Sequence, residues 1–154
     1  MASSQPASAG RSKVFVQQVA MAVGAVFLVV GVAGFIPGIT TNVDDLEFAG
    51  HSSGAELLGL FQVSILHNIV HLLFGVAGLA MARTARLSVI YLIGGGLIYA
   101  VLWIYGLIID SGSDANFVPL NDADNWLHFA LAVGMVALGL AGSRGSRQVR
   151  TGTA

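Results

Sequence analysis

The stretch LSVIYLIGGGLIYAVLWIYGLII, residues 87–109, carries no charged side chain between Arg86 and Asp110. A helix needs about 20 apolar residues to cross the roughly 30 Å hydrocarbon layer of a bilayer, so this stretch is long enough. Three further uncharged stretches lie at 14–43, 57–82 and 125–143. We therefore predict an all-α, polytopic membrane protein whose four transmembrane helices lie at about 14–36, 60–82, 87–109 and 125–142.

The overall composition supports a membrane protein and excludes several other classes. Of the 154 residues, 55% are hydrophobic and 10% are charged, whereas roughly 25% are charged in an ordinary soluble domain. The formal net charge of −1 gives no basic excess, which argues against a nucleic-acid partner. The chain has no cysteine, so disulfides, thiolate catalysis and cysteine-ligated metal sites are excluded.

The linkers between the predicted helices alternate in sign. Basic residues occupy the segment before the first helix, the short turn at 83–86 and the C-terminal segment, whereas acidic residues occupy the other two loops. The positive-inside rule places both termini in the cytoplasm of a multi-pass plasma-membrane protein. Residues 1–13 and 143–154 are predicted to be flexible cytoplasmic tails flanking a membrane domain at 14–142.

Small residues recur along the predicted helices at spacings that place them on one face. Because lipid gives helices no hydrophobic drive to associate, close packing at such residues and interhelical hydrogen bonds must hold the bundle together. The tight turn at 83–86 requires the second and third helices to be antiparallel neighbours. We predict an up-down four-helix bundle in which the glycines allow close backbone approach.

Polar side chains within the predicted membrane interior are the candidate functional residues. They are Ser64, His67, Asn68, His71 and His128. His67 and His128 each lie 16 residues from a basic residue at the inner end of their helix, so we expect them at the same depth. His71 follows one turn deeper on the same face as His67.

Four hypotheses account for these histidines. In the first, they form an interhelical hydrogen-bond cluster with each other, Asn68 or backbone groups. In the second, His67, His71 and His128 bind a divalent metal. In the third they relay protons, and in the fourth His67 acts with Ser64 in an enzyme. Haem is a weaker version of the metal hypothesis because no cation lies on the outer side to pair with its propionates. An enzyme is the least favoured of the four, because a lone Ser–His pair is a weak signal.

The outer end of the fourth helix supplies three more candidate residues, Asp124, Asn125 and Trp126. Asn121 or Asp122 is a suitable N-cap there, and Asp124 is then favoured by the positive end of the helix dipole. Trp126 is typical of the aromatic belt at a membrane surface. This capping interpretation needs no ligand.

Several segments of the chain resemble a family of small four-helix membrane proteins, mainly actinobacterial, described as a domain of unknown function. The segments that carry the resemblance are TTN at 40–42, FAG at 48–50, LLGLFQVSILHNIVHLLFG at 57–75, NFVP at 116–119 and ADNWLH at 123–128. The resemblance covers roughly 14–142 and implies the same four-span fold in an actinobacterial plasma membrane. It implies no reaction. The motif positions that carry over are His67, Asn68, His71, Asn125, Trp126 and His128.

The sequence therefore favours a non-enzymatic structural or accessory membrane component, in contact with the lipid bilayer and assembled as a homo-oligomer or with other membrane proteins. The alternative is a metal- or haem-binding or proton-linked membrane protein that uses the histidines.

Overall fold

A computed structural model describes residues 7–113 and 115–147 as a mostly helical chain with a small sheet at one end. The predicted tail residues 1–6 and 148–154, and Asp114, lie outside the described residues. The elements are α1 Ala7–Ala33, β1 Thr40–Thr41, a 3-10 turn Val43–Asp45, β2 Glu56–Leu57, β3 Phe61–Gln62, α2 Ile65–Met81, α3 Ala85–Ile108 and α4 Asp122–Arg147.

Three of the helices contain stretches that are long and apolar enough to cross a bilayer. These stretches are Val14–Ala33, Ala85–Ile108 and Asp122–Ser143. The remaining helix, α2, is apolar but has 17 residues, which is shorter than a full span. The prediction of a mainly helical chain with apolar, membrane-like helices is confirmed, and α2 is shorter than the helix predicted at 60–82.

The second helix begins five residues later than predicted, because residues 60–64 belong to a β-hairpin and a cap. Leu58 and Gly59 both have positive φ, of 57° and 65°, and they reverse the chain between β2 and β3. Ser64 then adopts an extended conformation and caps α2 by accepting a hydrogen bond from the His67 N–H. The all-α prediction missed this sheet, whose three strands pair antiparallel in the order β1-β2-β3.

The first and last helices extend into the segments predicted as tails. α1 begins at Ala7 and includes most of the predicted tail at 1–13. α4 continues to Arg147, into the predicted tail at 143–154. Once an apolar stretch forms a helix, each added residue gains a backbone hydrogen bond, so the helix extends into flanking residues of reasonable helix propensity.

Glycines bring the helices together in two close pairs. A Cβ atom at Gly24 of α1 would lie 3.0 Å from the carbonyl oxygen of Gly75 on α2. A Cβ atom at Gly96 of α3 would lie 3.0 Å from the carbonyl oxygen of Ala132 on α4 and 2.7 Å from a methyl group of Val136. These backbone approaches confirm the expected role of the glycines in α1–α2 and α3–α4 packing.

The sheet and its flanking loops form a cap over the end of the bundle where α2 and α4 begin. Ala55, Leu57 and Val63 are buried beneath the sheet against Val30 and Ala33 of α1. The Gly50 N–H donates to the carbonyl of Phe117 over 2.9 Å and so joins the two long loops. The cap therefore fixes the ends of α1, α2 and α4 relative to one another.

Two neighbouring glycines of α3 give a matched test of the packing. Gly96→Ala should lower the free energy of unfolding by about 1–3 kcal/mol, because the added methyl meets the α4 backbone. A Cβ atom at Gly94 meets nothing within 4 Å, so Gly94→Ala should be neutral or stabilise the protein by about 0.5–1 kcal/mol. Thermal unfolding of both variants in mild detergent measures the difference, and equal destabilisation would contradict this packing.

Candidate functional site

The structure brings His67, His71 and His128 together between the helices, beneath the cap. The rings of His67 and His71, one turn apart on α2, have centroids 4.4 Å apart. His128, on α4, lines the same two cavities as both of them. His71 is 9% exposed and His128 is 4% exposed, so these imidazoles are withdrawn from the surface.

Two aromatic side chains connect the histidines, and the sequence analysis did not assign either to the site. The Tyr99 hydroxyl of α3 lies 3.4 Å from Nε2 of His71, and the Tyr99 ring lies 5.2 Å from that of His128. Phe27 of α1 stacks against His71 at 5.4 Å and against Tyr99 at 5.6 Å. All four helices therefore contribute a ring to one cluster.

Depth counting would have found both residues. Phe27 lies 14 residues from Lys13, His71 lies 12 from Arg83, and Tyr99 lies 13 from Arg86. At 1.5 Å per residue these counts differ by about 3 Å at most. Matching distances from the basic residues would therefore have indicated Phe27 and Tyr99. Without this comparison neither is singled out, because aromatic residues are common in apolar helices.

The histidine nitrogens are poorly satisfied. Nδ1 of His67, of His71 and of His128 is buried without a hydrogen-bond partner among the described residues. A buried polar group left unpaired carries a desolvation penalty. The expected mutual hydrogen bonding of the imidazoles is therefore wrong for these three atoms.

Two apolar cavities meet at the three histidines. The larger, of about 340 Å³, lies among α1, α2, α4 and the sheet, with Phe27, Phe61 and Leu131 in its walls. The smaller, of about 250 Å³, lies among α2, α3 and α4 beneath the loop at 117–119. His67, His71 and His128 line both cavities, so an occupant of either one reaches the same polar groups.

Ser64 and Asp124 lie at the edges of this site, and both are bonded to the backbone. The Ser64 hydroxyl accepts the His67 N–H at 3.1 Å. One Asp124 carboxylate oxygen accepts the Gln62 N–H of β3 at 3.0 Å and the Asn121 N–H at 3.3 Å. The Asn121 side chain in return accepts the Asp124 N–H at 2.9 Å, which completes a reciprocal capping box at the start of α4.

The other three predicted site residues lie away from the cavities. Asn68 is fully buried and packs against Gly34, which directly follows α1, and neither of its side-chain polar atoms has a partner in the described chain. Asn125 packs against Gly106 of α3. Trp126 is exposed and meets Phe129 edge-on. Asn68 therefore is not the partner of the histidines, which was one of the three options in the hydrogen-bond hypothesis.

The metal hypothesis gains no support from this geometry. Within 7–113 and 115–147, no group of three or more histidine, cysteine, aspartate or glutamate side chains is placed to hold a metal ion. The arrangement instead places three imidazoles where two apolar cavities meet.

The capping role of Asp124 can be tested against its neighbour. Asp124→Ala should cost about 1–3 kcal/mol of stability, because the Gln62 and Asn121 N–H groups lose their acceptor. Asp122 is exposed in the same first turn, so Asp122→Ala should cost only the helix-dipole contribution of about 0.3–1 kcal/mol. Thermal unfolding in detergent compares the two, and a smaller loss at Asp124 than at Asp122 would refute the capping box.

The comparisons with known proteins agree with the resemblance in its broad form. A search of curated proteins and a search of solved structures each give no match. A family model described as a domain of unknown function (DUF4383) matches residues 17–141, which includes α2, α3, the sheet and all three cavity histidines. The chain therefore belongs to the DUF4383 family.

Proposed function

We propose that the protein crosses an actinobacterial plasma membrane four times, as an up-down bundle with both termini in the cytoplasm. α2 is the fourth span in this proposal. It has 17 residues, which is short for a span. The cap lies over its outer end and covers the remaining distance to the membrane surface. The basic residues Arg83 and Arg86 flank the short α2–α3 turn, which supports a cytoplasmic location for that turn.

Cysteine labelling tests this topology, because the chain has no cysteine of its own. Ser52 in the cap, and Gly10 and Thr84 at the other end of the bundle, are exposed. In intact cells a membrane-impermeant maleimide should label Ser52→Cys and should leave Gly10→Cys and Thr84→Cys unlabelled until the membrane is permeabilised. External labelling of Thr84→Cys would overturn the orientation.

The role we propose is that of a non-enzymatic accessory component, which works as a homo-oligomer or with other membrane proteins. The observation that carries this proposal is that the potentially reactive side chains near the cavities are engaged in hydrogen bonds to the backbone. Ser64 and Asp124 are the groups there that would serve as nucleophile and acid in an enzyme, and both accept backbone N–H groups instead: Ser64 that of His67 in α2, and Asp124 those of Gln62 and Asn121. The glycine contacts between helices support a rigid bundle suited to such a component.

A reactivity probe separates this role from that of a serine enzyme. A fluorophosphonate should leave Ser64 unmodified, because the Ser64 hydroxyl is buried and accepts a hydrogen bond instead of being activated by a base. Ser64→Ala should lower stability by about 1 kcal/mol, as expected for a lost N-cap. Mass spectrometry of the treated protein gives the readout, and covalent modification that disappears in Ser64→Ala would contradict the proposal.

A further inference from the structure

The larger of the two cavities combines an apolar, partly aromatic wall with three histidine side chains. Phe27, Phe61 and Leu131 belong to the wall, and His67, His71 and His128 form its polar end. Binding sites for small molecules typically have this composition, with a few convergent polar groups on an apolar surface. We propose that this cavity binds a neutral, lipid-soluble molecule of the quinone class, whose ring lies in the cavity and whose carbonyl oxygen accepts a hydrogen bond from the histidine cluster.

An exposed lining residue on α1 gives the cavity access from the membrane. Val26 of α1 lines the cavity and is 60% exposed. It lies within Val14–Ala33, one of the three stretches apolar enough to span a bilayer. A solute entering beside Val26 therefore comes from the lipid-facing surface of the helix bundle, which requires it to be soluble in lipid.

The polar end of the cavity selects a neutral oxygen-bearing group. A neutral imidazole carries one N–H donor and one acceptor nitrogen. The lining in the described chain includes no lysine or arginine that would pair with an anion. The one carboxylate in the lining, Asp124, already accepts two backbone N–H groups. A carbonyl oxygen is the group that an imidazole N–H satisfies without adding charge to an apolar cavity.

The aromatic residues around the histidines favour a flat ligand. Phe27 stacks on both His71 and Tyr99, so one side of the polar cluster is already an aromatic surface. A conjugated ring gains stacking contacts there that a flexible acyl chain does not. The volume of about 340 Å³ lies at the lower end of the range for small-molecule pockets, which suits a single ring system.

Duroquinone and durene provide a matched pair of probes. Both are flat six-membered carbon rings that carry four methyl groups, but only duroquinone has carbonyl oxygens, and its full substitution prevents addition reactions with side chains. In isothermal titration calorimetry of the detergent-purified protein, corrected with empty micelles, duroquinone should bind at least about tenfold more tightly than durene. Equal affinity of the two would overturn the assignment of the histidines as the carbonyl partner.

Histidine substitutions test which imidazoles make the contact. His71→Phe keeps a ring for stacking on Phe27 but removes both nitrogens, and it should weaken duroquinone binding about tenfold without changing durene binding. His51→Phe is the control, because His51 is the one histidine of the chain that lines neither cavity. Full affinity for duroquinone in both His71→Phe and His128→Phe would refute the proposal.

A blocking substitution at the mouth avoids any change to the buried cluster. Val26→Trp should fill the larger cavity and abolish duroquinone binding, and the bundle should still fold because Val26 is exposed. Val70 lines the smaller cavity and is 42% exposed, so Val70→Trp should leave duroquinone binding unchanged. Loss of binding in Val70→Trp with full binding in Val26→Trp would overturn the choice of cavity.

Discussion

The backbone groups at the two ends of α2 determine much of the rest of the structure. A helix leaves its first four N–H groups and last four carbonyls without internal partners, and in a membrane those groups must find partners within the protein. At the start of α2, the Ile65 and Leu66 N–H groups donate to the carbonyls of Glu47 and Phe48, and the next two donate to Ser64. At the other end, the Gln17 side chain of α1 donates to the carbonyls of Ala82 and Arg83. The long first loop thus covers the first turn of a short helix, and a polar residue of α1 bonds to the carbonyls that directly follow its last turn.

This fastening of α2 fixes where its side chains lie relative to α1, α3 and α4. Gly24 and Gly75 set the contact of α2 with α1 at backbone distance, and Gly96 does the same between α3 and α4. With the rotation of each helix fixed in this way, His71, His128 and Tyr99 meet in one cluster. The cavities remain beside them because histidine, tyrosine and phenylalanine rings pack against each other without filling the space beneath the cap.

The sequence predicted those features that depend on composition over long stretches. Uncharged runs located four helices, and distances from basic residues placed His67, His71 and His128 at compatible depths. The sheet was missed because each strand has two residues, too few for an alternating pattern, and because Leu58 gives no sequence signal for its positive φ. The rotation of each helix about its axis could not be predicted from the sequence either. Asn68 shares a helix with His67 and His71 and yet faces Gly34, just after α1, which follows from three-dimensional packing and not from spacing.

The histidine nitrogens make few hydrogen bonds, and this helps to explain why histidines occur at these positions. If their purpose were to hold helices together, hydrogen bonds between helices should satisfy their nitrogens, yet the contact of Tyr99 with His71 is long, at 3.4 Å. Three buried Nδ1 atoms remain unpaired among the described residues, which makes the cluster a source of instability in the chain as described. Asn68 is unpaired as well, but it is enclosed against Gly34, where it reaches no cavity. The histidine side chains differ from Asn68 because they border open volume, so a bound molecule with a hydrogen-bonding oxygen reaches an imidazole but does not reach Asn68. Ligand binding should therefore stabilise the protein through the histidines, which a purely structural cluster would not allow.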